Sequence, residues 1–347
     1  MEGEIYLNEH VNKTFVEENI SKVENSLKIK IQETLGSKLI EVEELLHDFT
    51  DSNVTIMKDL VTHILSRRGK RLRPMLLLLS GSFQPANDYI LLQAAAAVEL
   101  IHTASLIHDD IIDESLERRG NPSLNARWGN RPAVLAGDFL FARAFELISL
   151  CQDLQLNKTF MRAIGTMCEG ETEQNVFAFN VNISEEQYLK NIYRKTAVLM
   201  EACCGEGARL SRLEERDVSK LEAYGRNLGL AFQITDDILD ITGKSEFTGK
   251  PICKDLQGGI ITLPLIYVLQ DITWGPHLKE IIEKRAFSSG NIEFLFQPSC
   301  IDGPLAQAMD KAAFYVREAR ESLAGFQDTP ARQILEELTD YVLLREQ

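Results

Sequence analysis

Two aspartate-rich stretches carry the residues best suited to chemistry in this chain of 347 residues. The first is LIHDDIIDESLERRG at residues 106–120, and the second is FQITDDILDITG at residues 232–243. On a helix, aspartates four positions apart share one face, with Cβ atoms about 5–6 Å from each other, and they repel unless a cation lies between them. The repeated spacing therefore predicts two cation sites, built from Asp109, Asp110 and Asp113 and from Asp236, Asp237 and Asp240.

Ligand sets made only of carboxylate oxygens favour hard divalent cations. Mg²⁺ in particular is held by one or two carboxylates, while substrate phosphates and waters complete its coordination. The sequence contains neither an HExxH zinc motif nor a Walker phosphate loop. Two facing aspartate clusters are thus predicted to hold several Mg²⁺ ions against a diphosphate.

Basic residues accompany the aspartates in the motifs GKRLRP, ERRG, YRKTA and TGKP. Arginine forks match phosphate oxygens, and lysine adds a compact point charge. Each base taken alone would be read as an ordinary solvated charge, and each DDxxD as a solvated helix end. Together they indicate two anion sites, one bound through metal and one basic, with candidates Lys70, Arg71, Arg73, Arg118, Arg119, Lys195 and Lys250.

The elements that must position these residues are helices. Apolar residues recur at i, i+3 and i+4 nearly everywhere, and we predict helices at 15–47, 54–67, 74–82, 88–116, 132–150, 157–179, 184–210, 214–242, 261–271, 306–325 and 330–345. The fold class is therefore all-α: one large antiparallel helical bundle with a central cavity. We predict a single domain over residues 15–347, and residues 1–14 could be disordered.

Composition narrows the classes of function. The chain has 37 Lys and Arg against 52 Asp and Glu, a net charge of −15, which argues against nucleic acid as a partner. Its six cysteines form no CxxC pair, and the N-terminus resembles neither a signal nor a transit peptide. We expect a cytoplasmic protein without a transmembrane segment, which could touch a membrane peripherally when product is released.

The motifs, in this order and spacing, resemble those of the trans-isoprenyl diphosphate synthases, or polyprenyl synthetases. The resemblance runs from about residue 50 to YVLLRE at the C-terminus and includes AVLAGDFLFARAF, GLAFQITDDILDITG and GKPICKDLQGG. Within the family it is nearest to bacterial medium- and long-chain enzymes, including the catalytic component of heptaprenyl diphosphate synthase. It implies a bundle of the isoprenoid synthase type.

The resemblance also implies a role for each matching residue. Isopentenyl diphosphate is expected to bind Lys70, Arg73, His102 and Arg119. Up to three Mg²⁺ ions are expected, on Asp109 and Asp113 with support from Asp110, and on Asp236 with Asp240. The allylic diphosphate is expected to contact Arg118, Lys195, Thr196, Gln233 and Lys250. The resulting catalytic set is Asp109, Asp110, Asp113, Asp236, Asp237, Asp240 and Lys195.

His102 has the strongest competing interpretation, because a lone histidine on an apolar helix is usually a core residue. It lies seven residues before Asp109, hence on the same helical face two turns deeper, which favours substrate contact.

The implied reaction is the Mg²⁺-dependent addition of successive isopentenyl units to an allylic diphosphate. The growing tail is predicted to run beside the helix that ends at Asp109, past Ala104, Ser105 and Ile101. Each turn rises 5.4 Å, roughly one isoprene unit, and the lack of aromatic side chains on these turns predicts a medium-to-long product. The family resemblance implies a range of about C30–C50, suited to a quinone side chain.

We expect a homodimer, or a heterodimer with a small subunit, packed through helices 88–107 and 132–150. Two other functions were weighed. A class I terpene cyclase would be expected to lack the second DDxxD and the basic site. A non-catalytic subunit of a prenyl synthase could lose aspartates, and both clusters are intact here.

Overall fold

The protein is almost entirely helical in the computed structural model, which describes residues 2–66, 69–118, 120–242 and 253–344, with side chains from residue 25 onward. The helices before the second aspartate cluster are α1 (Glu2–Thr50), α2 (Thr55–Leu65), α3 (Leu72–Ser80), α4 (Asp88–Ile112), α5 (Leu124–Trp128), α6 (Asn130–Leu150), α7 (Leu154–Val176), α8 (Glu185–Ile192) and α9 (Val198–Leu210). The later helices are α10 (Glu215–Thr242), α11 (Lys254–Gln257), α12 (Leu263–Gln270), α13 (Gly275–Lys284), α14 (Ser289–Ile292), α15 (Pro298–Ser322) and α16 (Pro330–Leu344). The all-α prediction is confirmed.

Helix α4 lies at the centre of the bundle and ends at the first aspartate cluster. The Asn87 side chain caps its first turn by accepting a hydrogen bond from the Tyr89 amide at 3.1 Å. Residues 91–101 are all buried, and α4 packs chiefly against α6, with α3 and α1 on other sides. By length and composition α4 could cross a membrane, yet 78% of its most apolar window is buried inside the protein. We therefore describe α4 as the core helix of the bundle.

Helix α10 organises the second half of the molecule and carries the second aspartate cluster near its end. It packs against α9 and α15, and its buried side chains join both apolar cores of the protein. Between α8 and α9 the chain forms one π-helical turn, Tyr193–Ala197, inside what the sequence predicted as a single helix. Such turns often occur at functional sites because they redirect side chains.

A two-stranded hairpin links α4 to α5. Strand β1 (Glu117–Arg118) pairs antiparallel with β2 (Asn121–Pro122) around Gly120, whose φ of 72° suits glycine. Helix α4 therefore ends at Ile112, four residues before the predicted boundary, because Glu114 adopts a φ of 49° and the chain turns into the hairpin.

Other differences from the predicted elements have local causes. Helix α1 begins at Glu2, where disorder over residues 1–14 was considered, and residues 4–50 contain no proline and one glycine. Helix α13 was not among the predicted helices, and α15 begins at Pro298, eight residues before the predicted start at 306. In both helices a proline, Pro276 or Pro298, occupies a first-turn position, where the missing amide hydrogen costs nothing.

Candidate active site

One cavity of about 1520 Å³ collects most of the predicted site residues. Its walls come from α1, α3, α4, α7, the π-helical turn, α10 and α16. The predicted residues on its wall are Lys70, Arg71, Arg73, His102, Ser105, Asp109, Asp113, Arg118, Lys195, Thr196, Gln233 and Asp236. Arg119 and Lys250 lie outside the described residues.

The first cluster stands where α4 emerges from the core. Asp109 is half-buried and Asp113, one turn later at the end of α4, is exposed. Burial raises the pKa of Asp109 to about 7, and the negative charges of Glu171 and Asp113 act in the same direction, while Lys195 opposes them. A desolvated carboxylate beside two others is an environment that a bound cation would stabilise.

Asp110 points away from the cavity and is committed to Arg118. Both carboxylate oxygens accept from Arg118 Nε, at 2.9 and 2.8 Å. The Asn125 side chain donates to the Asp110 carbonyl at 3.1 Å and to the Ser115 carbonyl at 3.0 Å. Asp110 therefore orients Arg118, which stands at the start of the hairpin and lines the cavity.

In the second cluster, only Asp236 lies on the cavity wall. Asp237 is buried and accepts hydrogen bonds from Tyr188 Oη at 2.7 Å and Gln233 Nε2 at 2.9 Å. Thr196 Oγ1 in turn donates to Gln233 Oε1 at 2.7 Å. Burial raises the pKa of Asp237 to about 7, with a further contribution from the nearby Asp255 carboxylate. Asp237 thus links α8, α10 and the π-helical turn through hydrogen bonds.

Asp240 binds the first backbone amides of α11. Its carboxylate accepts from the backbone amides of Lys254 at 3.2 Å and Asp255 at 3.3 Å. Lys254 Nζ then donates to Ser115 Oγ at 3.0 Å, which connects α11 to the loop after the first cluster. Asp240 is therefore placed to cap α11 and to set the position of Lys254.

The π-helical turn directs Lys195 and Thr196 into the cavity. Lys195 Nζ forms a salt bridge with Glu171 Oε2 of α7 at 3.0 Å, and only 12% of the Glu171 side chain is exposed. The neighbouring Arg194 is held on Glu173 at 2.7 Å. Glu171, Asp109 and Asp113 keep the pKa of the Lys195 ammonium above its ordinary value despite burial, so it stays cationic.

The basic loop at residues 69–73 forms the other side of the cavity. Arg73 Nη1 donates to His102 Nε2 at 2.9 Å, so that ring nitrogen acts as the acceptor. His102 lines the cavity, as the helical-face argument predicted. Lys70, Arg71 and Arg73 all lie on this wall, and the Arg71 guanidinium is paired there with Glu43 and Glu99.

The donor set fits Mg²⁺ bound jointly with a ligand. Among the described residues, no three His, Cys, Asp or Glu side chains are close enough to hold a metal ion by themselves. Asp109, Asp113 and Asp236 nevertheless line one cavity as hard oxygen ligands. This is the arrangement expected for Mg²⁺, which takes one or two carboxylates and obtains its other ligands from phosphate and water.

The predicted chain-length residues occupy two environments. Ser105 lines the cavity and donates from Oγ to the His102 carbonyl at 2.8 Å, whereas Ala104 and Ile101 are fully buried. Leu106 and Met167 lie on the wall of the same cavity. The chain-length role of all three residues stays a prediction.

Sequence reasoning missed several polar residues around the site. Glu171, Tyr188, Lys254 and Asp255 come from α7, α8 and α11, far along the chain from the residues they contact. The polar run EGETEQN within an otherwise amphipathic helix was a usable signal for Glu171. No local pattern marks Tyr188.

Comparison with known proteins agrees with this geometry. A sequence model of the family described as polyprenyl synthetase matches residues 54–298. Heptaprenyl diphosphate synthase component 2 of Geobacillus stearothermophilus is 40% identical over 237 residues, which cover 68% of this chain and 74% of that protein.

Two solved structures superpose over nearly the whole chain. A polyprenyl synthase from Caulobacter crescentus, complexed with calcium and isoprenyl diphosphate, gives a TM-score of 0.85 at 35% identity and covers 92% of this chain and 98% of that one. A decaprenyl diphosphate synthase from Rhodobacter capsulatus gives 0.84 at 35% identity, covering 91% and 98%. The chain therefore belongs to the polyprenyl synthetase family of prenyltransferases.

Proposed function

We propose that this enzyme joins successive isopentenyl diphosphates to an allylic diphosphate, head to tail, and releases pyrophosphate at each step. One observation carries the proposal: a single cavity holds an acidic, metal-suited wall with Lys195 and a separate basic wall with Lys70 and Arg73. A reaction between two diphosphates needs two such anion sites. The Caulobacter relative, crystallised with calcium and isoprenyl diphosphate, supports this pairing of a hard cation with a diphosphate.

The residues of the acidic side favour departure of the allylic diphosphate. Asp109, Asp113 and Asp236 would hold Mg²⁺, which would supply positive charge to neutralise the leaving group. Lys195 and Arg118 add fixed positive charge at the same oxygens, where preorganised groups act most strongly on developing charge. The C–O electron pair leaves with pyrophosphate, and an allylic cation remains.

The basic side positions the second substrate. Lys70, Arg73 and His102 would hold the diphosphate of isopentenyl diphosphate, so that its double bond attacks a cation already in place. The new carbon–carbon bond leaves a cation one carbon away, and loss of a proton restores a double bond. The released pyrophosphate is the base in this scheme, which balances the reaction without another cofactor.

Apolar residues protect the cation between the two sites. Leu106, Met167, Leu228 and Phe232 line the cavity beside the charged residues. Water at this position would capture the cation as an alcohol, so exclusion of water is part of the function.

The product is proposed to be a medium- or long-chain all-trans polyprenyl diphosphate of about C30–C50, because small side chains follow one another down α4 at one turn per isoprene unit. Relatives named heptaprenyl and decaprenyl diphosphate synthase support this range. A quinone side chain is the use that such a length suits.

A second subunit is also proposed, on a revised surface. Helix α4 is already buried within this chain, so it is not available for the intersubunit contact that the sequence suggested. Helix α6, the other helix of the predicted contact at 132–150, exposes Leu135 at 60%, and the neighbouring α7 exposes Leu154 at 69% and Met161 at 49%. This surface suits a homodimer, or a heterodimer of the kind implied by the relative named component 2.

The test is pyrophosphate release by the purified chain. We expect release only when farnesyl diphosphate, isopentenyl diphosphate and Mg²⁺ are all present. A terpene cyclase would release pyrophosphate from farnesyl diphosphate alone, and a non-catalytic subunit would release none. Either result would refute the proposed function.

A further inference from the structure

Two helices from opposite ends of the chain hold the basic loop. The Glu43 carboxylate of α1 accepts from Arg71 Nε at 2.5 Å and from Arg71 Nη2 at 3.0 Å. The Tyr341 hydroxyl of α16 accepts a hydrogen bond from Lys70 Nζ, and that ammonium lies 4.9 Å from the centre of the tyrosine ring. Both helices lie outside residues 54–298, the segment that matches the family.

The same two helices contact each other and close one side of the cavity. Lys30 of α1 forms an ion pair with Glu337 of α16, and the helices pack side by side. Leu39 of α1 and Val342 of α16 lie on the cavity wall. We refer to residues 25–50 together with α16 as the terminal wall.

The loop that the terminal wall contacts has a strained backbone. Arg71 adopts a φ of 50°, in the left-handed region that residues other than glycine rarely enter. Such a conformation persists when surrounding contacts over-determine it. Here those contacts are Glu43 and the buried Glu99, which accepts from Arg71 Nη1 at 2.7 Å, and only 10% of the Arg71 side chain is exposed.

The strained residue sits between the two bases that face the cavity. Arg71 is the N-cap of α3, with Lys70 before it and Arg73 in the first turn. The directions of both bases therefore depend on the conformation of Arg71. An ammonium group has three donors, so Lys70 can keep its hydrogen bond to Tyr341 while it donates to a diphosphate oxygen.

We propose that Glu43 and Tyr341 are positioning residues for isopentenyl diphosphate, acting through Arg71 and Lys70 respectively. These two contacts with the basic loop then set affinity for the five-carbon substrate, whereas the aspartate clusters serve the allylic one. This inference rests on the proposed function, because it assigns a substrate to the basic side of the cavity.

The test compares the steady-state constants for the two substrates. Glu43→Gln and Tyr341→Phe should each raise the KM for isopentenyl diphosphate about tenfold, with kcat and the KM for farnesyl diphosphate unchanged. Glu43→Asp keeps the charge and should recover part of the loss. Tyr341→Phe retains the ring, so Tyr341→Ala should have the larger effect.

Two controls separate positioning from support of the fold. Glu41→Gln changes an exposed carboxylate on the same helix, and Glu337→Gln breaks the ion pair within the terminal wall without touching the loop. Both should leave the two KM values unchanged, and thermal unfolding should show each variant folded at the assay temperature.

Three results would overturn the inference: an unchanged KM for isopentenyl diphosphate in both Glu43→Gln and Tyr341→Phe, an equal rise for both substrates, or the same rise in Glu337→Gln. If the wild-type protein had no condensation activity, both the proposed function and this inference would be refuted. An active wild type with normal variants would remove the positioning role alone.

Discussion

Arg118 Nε lies 2.9 and 2.8 Å from the two carboxylate oxygens of Asp110, the middle aspartate of the first cluster. The three aspartates of this cluster therefore have different positions. Asp109 and Asp113 line the cavity, and Asp110 holds an arginine that also lines it. A motif that looks uniform in the sequence therefore contains two residues on the cavity wall, which we propose as metal ligands, and one residue that holds Arg118 in place.

Asp110→Asn should lower activity by weakening the hold on Arg118. We expect a rise of about tenfold in the KM for the allylic diphosphate, because the amide keeps one acceptor but loses the charge. Mg²⁺ dependence should stay close to that of the wild type, since the ligands are intact. An unchanged KM in steady-state kinetics would contradict this role for the ion pair.

The two outer aspartates of the second cluster should behave differently. Asp236→Ala removes a residue of the cavity wall and should lower turnover at least ~10³-fold, as loss of a stabiliser of transition-state charge does. Asp240→Ala removes the cap of α11 and should cost about 0.5–2 kcal/mol of folding free energy. Turnover and the free energy of unfolding, from chemical denaturation, should be measured on both variants. If both aspartates were simple metal ligands, the two variants would lose turnover equally.

Metal-free protein should lose stability as pH rises from about 4 to 7. The pKa of Asp109 is raised from 3.8 to about 7 in the folded state, so in this window the folded protein keeps a proton that the unfolded chain has released. Asp237 and Asp255 act in the same direction.

Mg²⁺ needs ionised carboxylates and should bind more tightly at pH 8 than at pH 6. Thermal unfolding midpoints measured across this pH range, with and without Mg²⁺, test this prediction. Without metal, the midpoint of Asp109→Asn should fall less between about pH 4 and 7 than that of the wild type.

The two anion sites should separate kinetically. Lys70→Ala should raise mainly the KM for isopentenyl diphosphate, and Lys195→Ala should act mainly on the allylic substrate, because the two lysines stand on different walls of the cavity. Initial rates with each substrate varied in turn provide the measurement. Equal effects on both substrates in both variants would argue against two distinct sites.

Chain length should respond to bulk beside the first cluster. Ser105→Phe, on the cavity wall, should shorten the main product towards about C15–C20, because one turn of helix spans roughly one isoprene unit. Ala104→Phe is expected to act similarly, although its fully buried position makes a check of folding necessary. If chromatography showed unchanged products for both folded variants, the tail would have to follow another face.

Local spacing in the sequence was enough to predict most of the helices and the residues that share a face. His102, Ser105, Asp109 and Asp113 follow the 3.6-residue period of α4 and do reach one cavity. The period says nothing about what a neighbouring helix offers, so the salt bridge from Glu171 to Lys195 could not be predicted.

The same limit explains why the contacts of the second aspartate cluster were not predicted. Asp237 and Asp240 look like further metal ligands in the sequence. In the structure Asp237 accepts a hydrogen bond from Tyr188, and Asp240 accepts hydrogen bonds from the backbone amides of α11. The π-helical turn was missed for a related reason, because one extra residue in a turn leaves the apolar pattern of the flanking helices nearly intact.

The most direct test of the central claim is analysis of the products that the purified chain makes from farnesyl diphosphate and radiolabelled isopentenyl diphosphate with Mg²⁺. We predict labelled all-trans polyprenyl diphosphates that lengthen in five-carbon steps to about C30–C50, the range proposed from the small side chains along α4 and from the family. Pyrophosphate release with no label in a longer prenyl chain would contradict the account.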